Sequence, residues 1–292
     1  MSSVKIEKDS NNIVHLILDK NNAKANLMDL AFADDFANAV KHILADDVVG
    51  VIVRSSKKTF FAGGDINLLY KTTDENVGQL FNMVESMKSS MRQLETSGKP
   101  VVACINGSAM GGGWEIALAC HYRIALNSDK MSLGLPEVTL GLLPGGGGVT
   151  RTVRLLGLQA ATPYLTQGKL CKPAQAHAAG LVDELIESSG DLITQATTWI
   201  NSQNTQGETF QPWDIKGYKI PGGTPKDPKV SQTLPIMPAL VRAPAKGTLP
   251  APQLILATMV EGAQVDFDNA CKIETRYFIE PVSYTHLRAH ET

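Results

Sequence analysis

Three consecutive glycines interrupt an apolar stretch of this 292-residue chain, and they constrain its fold more than any other feature. The apolar run Val101–Ile105 precedes them, and residues 109–117 read Ala-Met-Gly-Gly-Gly-Trp-Glu-Ile-Ala. We expect a strand, a turn and a helix in that order, because glycine lets the backbone turn sharply and approach a ligand. Free N–H groups at a helix start attract negative charge, and Glu115 would lie in the first turn. The segment therefore predicts an oxyanion-binding site with a carboxylic acid or base beside it.

Other glycine motifs fit this chain less well. A dinucleotide-binding fingerprint requires a third glycine at the position where this chain has Ile116. It also requires an acidic residue at the end of a second strand about twenty positions later, and this chain does not have one there. A phosphate-binding loop requires a hydroxyl residue after Gly-Lys, which the Gly168-Lys169 pair lacks. The Gly-x-Ser-x-Gly elbow of serine hydrolases is not matched either, because Ser108 stands one position early. The sequence thus argues against a dinucleotide-binding fingerprint, a phosphate-binding loop and a serine nucleophile.

Glu137 is a second acidic residue in an apolar setting, within the segment 131–148 and directly after Pro136. Proline restricts the preceding residue to extended conformations, so we expect a strand-like piece to end there. Burial raises the pKa of a carboxyl group, which would let Glu137 keep a proton near neutral pH and donate it. Each glutamate alone also has a structural interpretation: Glu115 matches the helix dipole, and Glu137 could accept hydrogen bonds from loop N–H groups.

A third segment, residues 59–66, places Gly63 and Gly64 where the strand-like run 49–54 gives way to a helix. Small residues there would leave N–H groups free to face a ligand. In isolation, a plain turn before a helix is the simpler interpretation. Together with the glycines at 111–113, this segment could bind one oxygen from two sides.

In this order and spacing, the three segments resemble the enoyl-CoA hydratase/isomerase superfamily, also called the crotonase family. The matching motifs are Ala62-Gly63-Gly64-Asp65, Asn106-Gly107, Gly111-Gly112-Gly113, Glu115, Pro136-Glu137, Gly141-Leu142-Leu143-Pro144 and the glycine run that follows. The resemblance implies an α/β fold, a crotonase-like spiral of ββα units with a helical C-terminal region. It implies that the N–H groups of Gly64 and Gly112 form an oxyanion hole for a thioester. Glu115 would be the water-activating base and Glu137 the proton donor.

The resemblance also implies a coenzyme A site. Lys24 could pair with a phosphate of the coenzyme. The other residues expected to contact the substrate are Ala25, Leu27, Ala62, Asp65, Ile66, Gly111 and Pro136. Acyl-CoA would be the substrate, and no cofactor or metal is expected for this part of the chain.

Both glutamates together favour a lyase, an enoyl-CoA hydratase that converts trans-2-enoyl-CoA to 3-hydroxyacyl-CoA in fatty-acid β-oxidation. Members of the family that only shift a double bond tend to keep the equivalent of Glu137 alone. Alternatives that stay open are a Δ3-Δ2-enoyl-CoA isomerase, a thioester hydrolase and a non-catalytic acyl-CoA-binding protein on the same fold.

Segments 117–123, 133–137 and 260–267 look like the amino-terminal hydratase part of multifunctional fatty-acid oxidation α-subunits. We therefore expect a hydratase core over 1–190, a helical and Pro/Gly-rich extension over 191–280 that leads to a missing dehydrogenase, and a non-native tail over 281–292. NAD would be needed only by that dehydrogenase. A thiolase β-subunit and further copies of the chain are candidate partners. His286 and His290 have no third ligand nearby and are expected to be a chance pair.

Composition and periodicity narrow the possible partners, the compartment and the secondary structure of the chain. The net charge of −2 gives no basic footprint for nucleic acid, and no run of about twenty apolar residues predicts a membrane span. Four cysteines without metal-like spacing suggest core thiols in a reducing compartment, the cytoplasm, and the amino terminus lacks a secretory signal. Periodicity predicts a hairpin over 4–18, helices over 27–44, 77–94, 192–200 and 254–280, and a linker-like stretch over 211–252.

Overall fold

The computed structural model describes residues 2–242 and 250–283. Its strands are β1 (Val4–Lys8), β2 (Ile13–Leu18), β3 (Gly50–Ser55), β4 (Val101–Ile105), β5 (Ala109–Met110), β6 (Tyr122–Leu126), β7 (Leu133–Gly134) and β8 (Glu184–Ile186). Six of them form one sheet in the order β1-β2-β3-β4-β6-β8. The expected hairpin is confirmed, since β1 and β2 pair antiparallel with Val4 opposite Leu18. The remaining neighbours in the sheet pair in parallel.

Helices surround this sheet. They are α1 (Leu30–Ala45), α2 (Ile66–Tyr70), α3 (Val77–Glu95), α4 (Gly112–Ala119), α5 (Gly148–Leu156), α6 (Leu158–Thr166), α7 (Pro173–Ala178), α8 (Leu192–Asn204), α9 (Pro228–Ser231), α10 (Met237–Arg242), α11 (Ala251–Gly262) and α12 (Phe267–Ser283). Helix α1 begins three residues later than its apolar spacing predicts, because the Asp29 carboxylate accepts a hydrogen bond from the Phe32 N–H and caps the helix. Helices α3 and α8 are found where periodicity predicts them.

The two faces of the sheet are covered by different elements, because successive strand residues point in opposite directions. Val51 and Val53 of β3 belong to the main core, which also takes in α1 and α3. Ile52 lies on the opposite face, in a smaller cluster with Ala196 and Ile200 of α8. The central strands are therefore apolar on both sides, as expected for parallel strands between helices.

The three glycine-containing segments meet beside the main sheet. Strands β5 and β7 form a separate parallel pair, with Ala109 opposite Leu133. Single bridges join Phe61 to Ala109 and Met28 to Gly64. These contacts bring residues 61–64, 109–112 and 133–137 to one place, although they are distant in sequence.

The segment beyond residue 190 packs into the same core as the strands. The helix predicted over 254–280 is two helices, α11 and α12, and Asp266 caps the second by accepting the Asn269 N–H at 2.8 Å. Phe278 of α12 is part of the main core. The stretch 211–252 contains short helices as well as loops, and its Trp213 stacks on Phe267 with ring centroids 5.2 Å apart. The division at residue 190 remains a prediction. Most of the expected tail, including His286 and His290, lies outside the described residues.

Candidate active site

A tight glycine turn carries the chain from β5 into α4. Gly111 has φ 54° and ψ −131°, a backbone conformation that residues with a Cβ atom rarely adopt. At Gly113 an added Cβ would collide with the Phe61 side chain. This close packing explains why small residues are required here, and it fixes the first turn of α4 against the segment that contains Gly64.

Two backbone N–H groups border one cavity from opposite segments. Gly64 lies at its exposed edge, and Gly112 lies at the buried start of α4. Within residues 2–242 and 250–283, neither N–H donates a hydrogen bond to a protein acceptor. The start of α4 also carries the positive end of the helix dipole. The pair can therefore receive an oxygen that develops negative charge.

Glu115 is a buried carboxyl group that is held on one side. Its Oε1 accepts hydrogen bonds from the N–H groups of Gly146 at 2.7 Å and Gly148 at 2.8 Å. Burial raises the pKa of Glu115 to about 7, and the charge of Glu274 adds to this rise while the two N–H bonds oppose it. Glu115 thus ionises at a higher pH than an exposed glutamate, and its Oε2 is left for another partner.

Glu137 begins a 3₁₀ turn, Glu137–Leu140, directly after Pro136. Its Oε2 is buried and has no hydrogen-bond partner among the residues that the structure describes. Burial first, and the charge of Glu115 second, raise the pKa of Glu137 well above its usual value. Because Glu115 has two N–H donors to stabilise its charge and Glu137 has only its own backbone N–H, Glu115 ionises first and Glu137 keeps its proton.

The cavity has a volume of about 200 Å³ and is mainly apolar apart from these groups. Its apolar wall comes from α2, α3, the segment 140–143 and α12. The wall residues include Leu68, Leu69, Met83, Val84, Met87, Leu142, Leu143 and Phe278. An apolar tail can therefore lie beside two carboxyl groups and two N–H donors.

Most of the predicted site residues line this cavity. Glu115, Glu137, Gly64, Gly112, Ala62, Asp65, Ile66, Gly111 and Pro136 are all in its wall. Lys24, Ala25 and Leu27 are not, although their neighbour Met28 is. Lys24 is exposed and the other two are half-buried. Their contact with a coenzyme remains a prediction.

Two residues of α12 at the site were not predicted from the sequence. Phe278 lines the cavity, and Glu274 is fully buried below the glycine run. Glu274 accepts hydrogen bonds from the N–H of Gly147 at 2.7 Å and from the N–H and hydroxyl of Thr150 at 2.8 and 2.6 Å. One signal could have found it: Glu274 lies four residues from both Ala270 and Phe278, inside the apolar stripe of a helix.

Other chemistry has less support in the described part of the chain. Three of the four thiols, Cys104, Cys120 and Cys171, are buried, and none of the four is in a disulfide. Burial raises the pKa of Cys104 and of Cys120 to about 12, so neither is a ready nucleophile. Over the same residues, His, Cys, Asp and Glu side chains do not form a group of three that could hold a metal ion. None of the described helices combines the length and apolar character that a membrane crossing requires.

Fold and cavity together define an α/β protein in which two buried carboxyl groups and two backbone N–H groups without a protein acceptor line one cavity. Residues 8–210 match the family model described as enoyl-CoA hydratase/isomerase. The chain belongs to this enoyl-CoA hydratase/isomerase family.

Curated relatives and solved structures agree with this assignment. The chain is 32% identical over 285 residues to the fatty acid oxidation complex subunit alpha of Vibrio parahaemolyticus, covering 96% of this chain and 39% of that protein. It is 31% identical over 275 residues to the protein of the same name from Shewanella amazonensis, covering 94% and 38%. The chain thus spans less than half the length of these relatives. The crystal structure of enoyl-CoA hydratase from Bacillus halodurans has a TM-score of 0.70 at 20% identity, covering 99% of this chain and 98% of that one. The crotonase-like fold expected from the sequence is confirmed.

Proposed function

We propose that this chain hydrates trans-2-enoyl-CoA to 3-hydroxyacyl-CoA. One observation carries the proposal: Glu115 and Glu137 line the same cavity as the unpaired N–H groups of Gly64 and Gly112. A carboxylate that can take a proton, a carboxylic acid that can give one, and an oxyanion-binding pair are the groups that hydration of a conjugated thioester requires.

The N–H pair would act on the thioester oxygen. Addition of water at C3 makes the thioester enolate-like, so negative charge grows on its oxygen only as the barrier is approached. Donors fixed by the backbone stabilise that charge without reorganising, and removing one typically costs about 3 to 4 kcal/mol of transition-state stabilisation. The dipole of α4 adds to the effect at Gly112.

The two glutamates would divide the proton transfers. Ionised Glu115 takes a proton from water on Oε2, since Oε1 is occupied by the N–H groups of Gly146 and Gly148. The hydroxide oxygen forms a bond to C3, the double-bond electrons move toward the thioester, and Glu137 delivers its proton to C2. Hydroxyl and hydrogen are then both on the product. Glu115 has gained a proton and Glu137 has lost one, so a return proton transfer restores the enzyme.

A double-bond isomerase is the second candidate. Oε2 of Glu137 is unpartnered within the described residues, so Glu137 in its ionised form could take a proton from C2 and return it to C4. Such a reaction needs no activated water. Glu115→Gln should then abolish hydration of 2-enoyl-CoA and spare conversion of 3-enoyl-CoA to 2-enoyl-CoA.

The direct test uses crotonyl-CoA and follows the ultraviolet loss of the conjugated thioester, with the product identified by mass spectrometry. A thiol reagent added in parallel detects free CoA. Loss of conjugation with a mass gain of one water supports the hydratase. Release of free CoA would instead indicate a thioester hydrolase, and binding without turnover would indicate an acyl-CoA-binding protein.

We further propose that the chain corresponds to the amino-terminal hydratase part of a fatty acid oxidation α-subunit in the cytoplasm, as the names of its relatives suggest. NAD chemistry would then belong to a dehydrogenase that this chain does not include, and a thiolase β-subunit or a second copy could be its partner. The 292-residue protein should not reduce NAD with 3-hydroxybutyryl-CoA. NAD reduction by the isolated chain would contradict this proposal. Lys24, Ala25 and Leu27 would contact the coenzyme, and Lys24→Met should raise KM more than it lowers kcat.

A further inference from the structure

The glycine turn beside Glu115 presents three successive N–H groups to two different carboxylates. The N–H groups of Gly146 and Gly148 donate to Oε1 of Glu115. The N–H between them, that of Gly147, donates to Oε1 of Glu274 at 2.7 Å. Gly147 has φ 96°, and an added Cβ there would collide with the guanidinium of Arg151. The turn is therefore fixed between the two acids.

The turn is also fastened at its carbonyl side. Arg151 donates from Nη1 to the Gly146 carbonyl at 3.1 Å, and it pairs with Glu95 through two hydrogen bonds of 2.7 and 2.8 Å. On the other side, Glu274 accepts both the N–H and the hydroxyl of Thr150, in the first turn of α5. The buried carboxylate of α12 thus holds the turn and the start of α5 together.

We propose that Glu274 is a positioning residue for Glu115: from α12 it holds the Gly147 and Thr150 N–H groups, and so aims the neighbouring N–H groups at the reacting carboxylate. This role rests on the proposed hydration. Glu274 does not line the cavity, so it acts through the turn and through its charge.

The charge of Glu274 has an effect that can be measured directly, namely its effect on the pKa of Glu115. It helps to keep the pKa of Glu115 near 7, after the larger effect of burial. The packed elements also carry other charged or titratable groups: Glu85, Lys88, Arg92 and Glu95 of α3, Arg151 and Arg154 of α5, Glu261 of α11, Cys271 of α12, and Glu137. Arg151 is engaged by Glu95, and burial raises the pKa of the Cys271 thiol to about 12, which leaves it neutral. Neither replaces the negative charge of Glu274.

The test is Glu274→Gln, which removes the charge and keeps an amide oxygen for the Gly147 N–H. We expect the acidic limb of the kcat/KM profile to move to lower pH by about one unit, as for removal of a like charge near a buried acid. We expect kcat to fall about tenfold because the N–H groups of the turn would hold the Glu115 carboxylate less rigidly, and we expect KM to change little. Glu261→Gln is the matched control. It also removes a carboxylate that ties α12 to a neighbour, through Arg276 and Tyr277, but it does not contact the turn, so its pH profile should match the wild type.

A second variant separates geometry from charge. Thr150→Val removes only the hydroxyl bond to Glu274, so kcat should fall while the acidic limb does not move to lower pH. A titration of carbon-13-labelled glutamate by NMR reports the pKa of Glu115 without turnover, and melting curves check that each variant folds. An unchanged Glu115 pKa in folded Glu274→Gln would overturn the inference. If the wild type showed no hydration at all, the proposed function would fail, and the NMR titration would still decide the role of Glu274.

Discussion

Gly112 offers a perturbation that removes one backbone N–H group from the cavity while both glutamates stay in place. In Gly112→Pro the residue at the first position of α4 loses its N–H, and proline is well tolerated at that position of a helix. An added Cβ would lie 2.7 Å from Cε of Met28 and 3.0 Å from its Sδ, so the flexible end of that side chain must move. Gly112→Ala makes the same demand on Met28 and keeps the N–H. Comparison of the two variants cancels the effect of the added Cβ, so their difference reports the loss of the N–H together with the ring carbon that proline puts in its place.

The size of the effect follows from the proposed role. If the Gly112 N–H stabilises the oxyanion, its loss should cost about 3 to 4 kcal/mol of transition-state stabilisation, which is a factor of roughly 10² to 10³ in kcat. If the N–H merely faces water, the two variants should be equally active. Within the described residues the N–H has no protein acceptor, so no lost hydrogen bond in the fold competes with this interpretation.

The assay is hydration of crotonyl-CoA by both variants at one pH, with substrate binding measured by calorimetry and folding by circular dichroism. Gly112→Pro should bind acyl-CoA and turn it over at least a hundredfold more slowly than Gly112→Ala. A folded Gly112→Pro protein within about threefold of Gly112→Ala would falsify the assignment of this N–H to the oxyanion hole.

Four further outcomes are expected. Glu115→Gln and Glu137→Gln should each slow hydration by about a hundredfold or more while acyl-CoA still binds, and the two-carboxyl scheme fails if either keeps wild-type turnover. The kcat/KM of the wild type should fall below pH 7, where Glu115 takes up a proton, and again at high pH, where Glu137 loses one; a flat profile would contradict both assignments. Because the pKa of Glu115 is raised from 4.5 to about 7 by folding, its carboxyl favours the folded state below pH 4.5, and that contribution is lost as pH rises through 7. Glu115→Gln should therefore melt higher than the wild type at pH 8 and show no such gain at pH 5. Glu95→Gln should lower the free energy of unfolding in urea by about 3 to 5 kcal/mol because it leaves Arg151 buried without its partner, whereas the exposed Glu187→Gln should not.

Local sequence patterns were sufficient for the parts of the fold that local physics decides. The hairpin of β1 and β2 and the buried face of α3 were both predicted from residue spacing, and the structure confirms them. The alternation itself did not report burial in β2, because all six of its residues are buried. The glycine turn before α4 was equally readable, because Gly111 needs a conformation that other residues avoid.

Contacts between distant parts of the chain could not be read in this way. Glu274 and Gly147 are 127 residues apart, and nothing in the helical spacing of α12 says which turn its carboxylate reaches. The break between α11 and α12 depends on Asp266, a capping residue that looks like an ordinary acidic residue in a helical pattern. The stacking of Trp213 on Phe267 likewise fastens a stretch that proline and glycine content alone describes as a linker. Lys24 was placed in the site from resemblance, and its side chain is exposed outside the cavity.

The position of α12 has a consequence for how the protein comes to be active. The turn that holds Glu115 is complete only when Glu274 arrives, and the cavity wall is complete only when Phe278 does. Glu274 meets a turn 127 residues earlier in the chain, and contacts of large sequence separation form slowly, so we expect α12 to dock late in folding, after the strands have paired. During synthesis on the ribosome, both glutamates of the cavity emerge long before the helix that organises them. A nascent chain whose strands have paired would thus be compact but inactive. Turnover would begin only when α12 has docked.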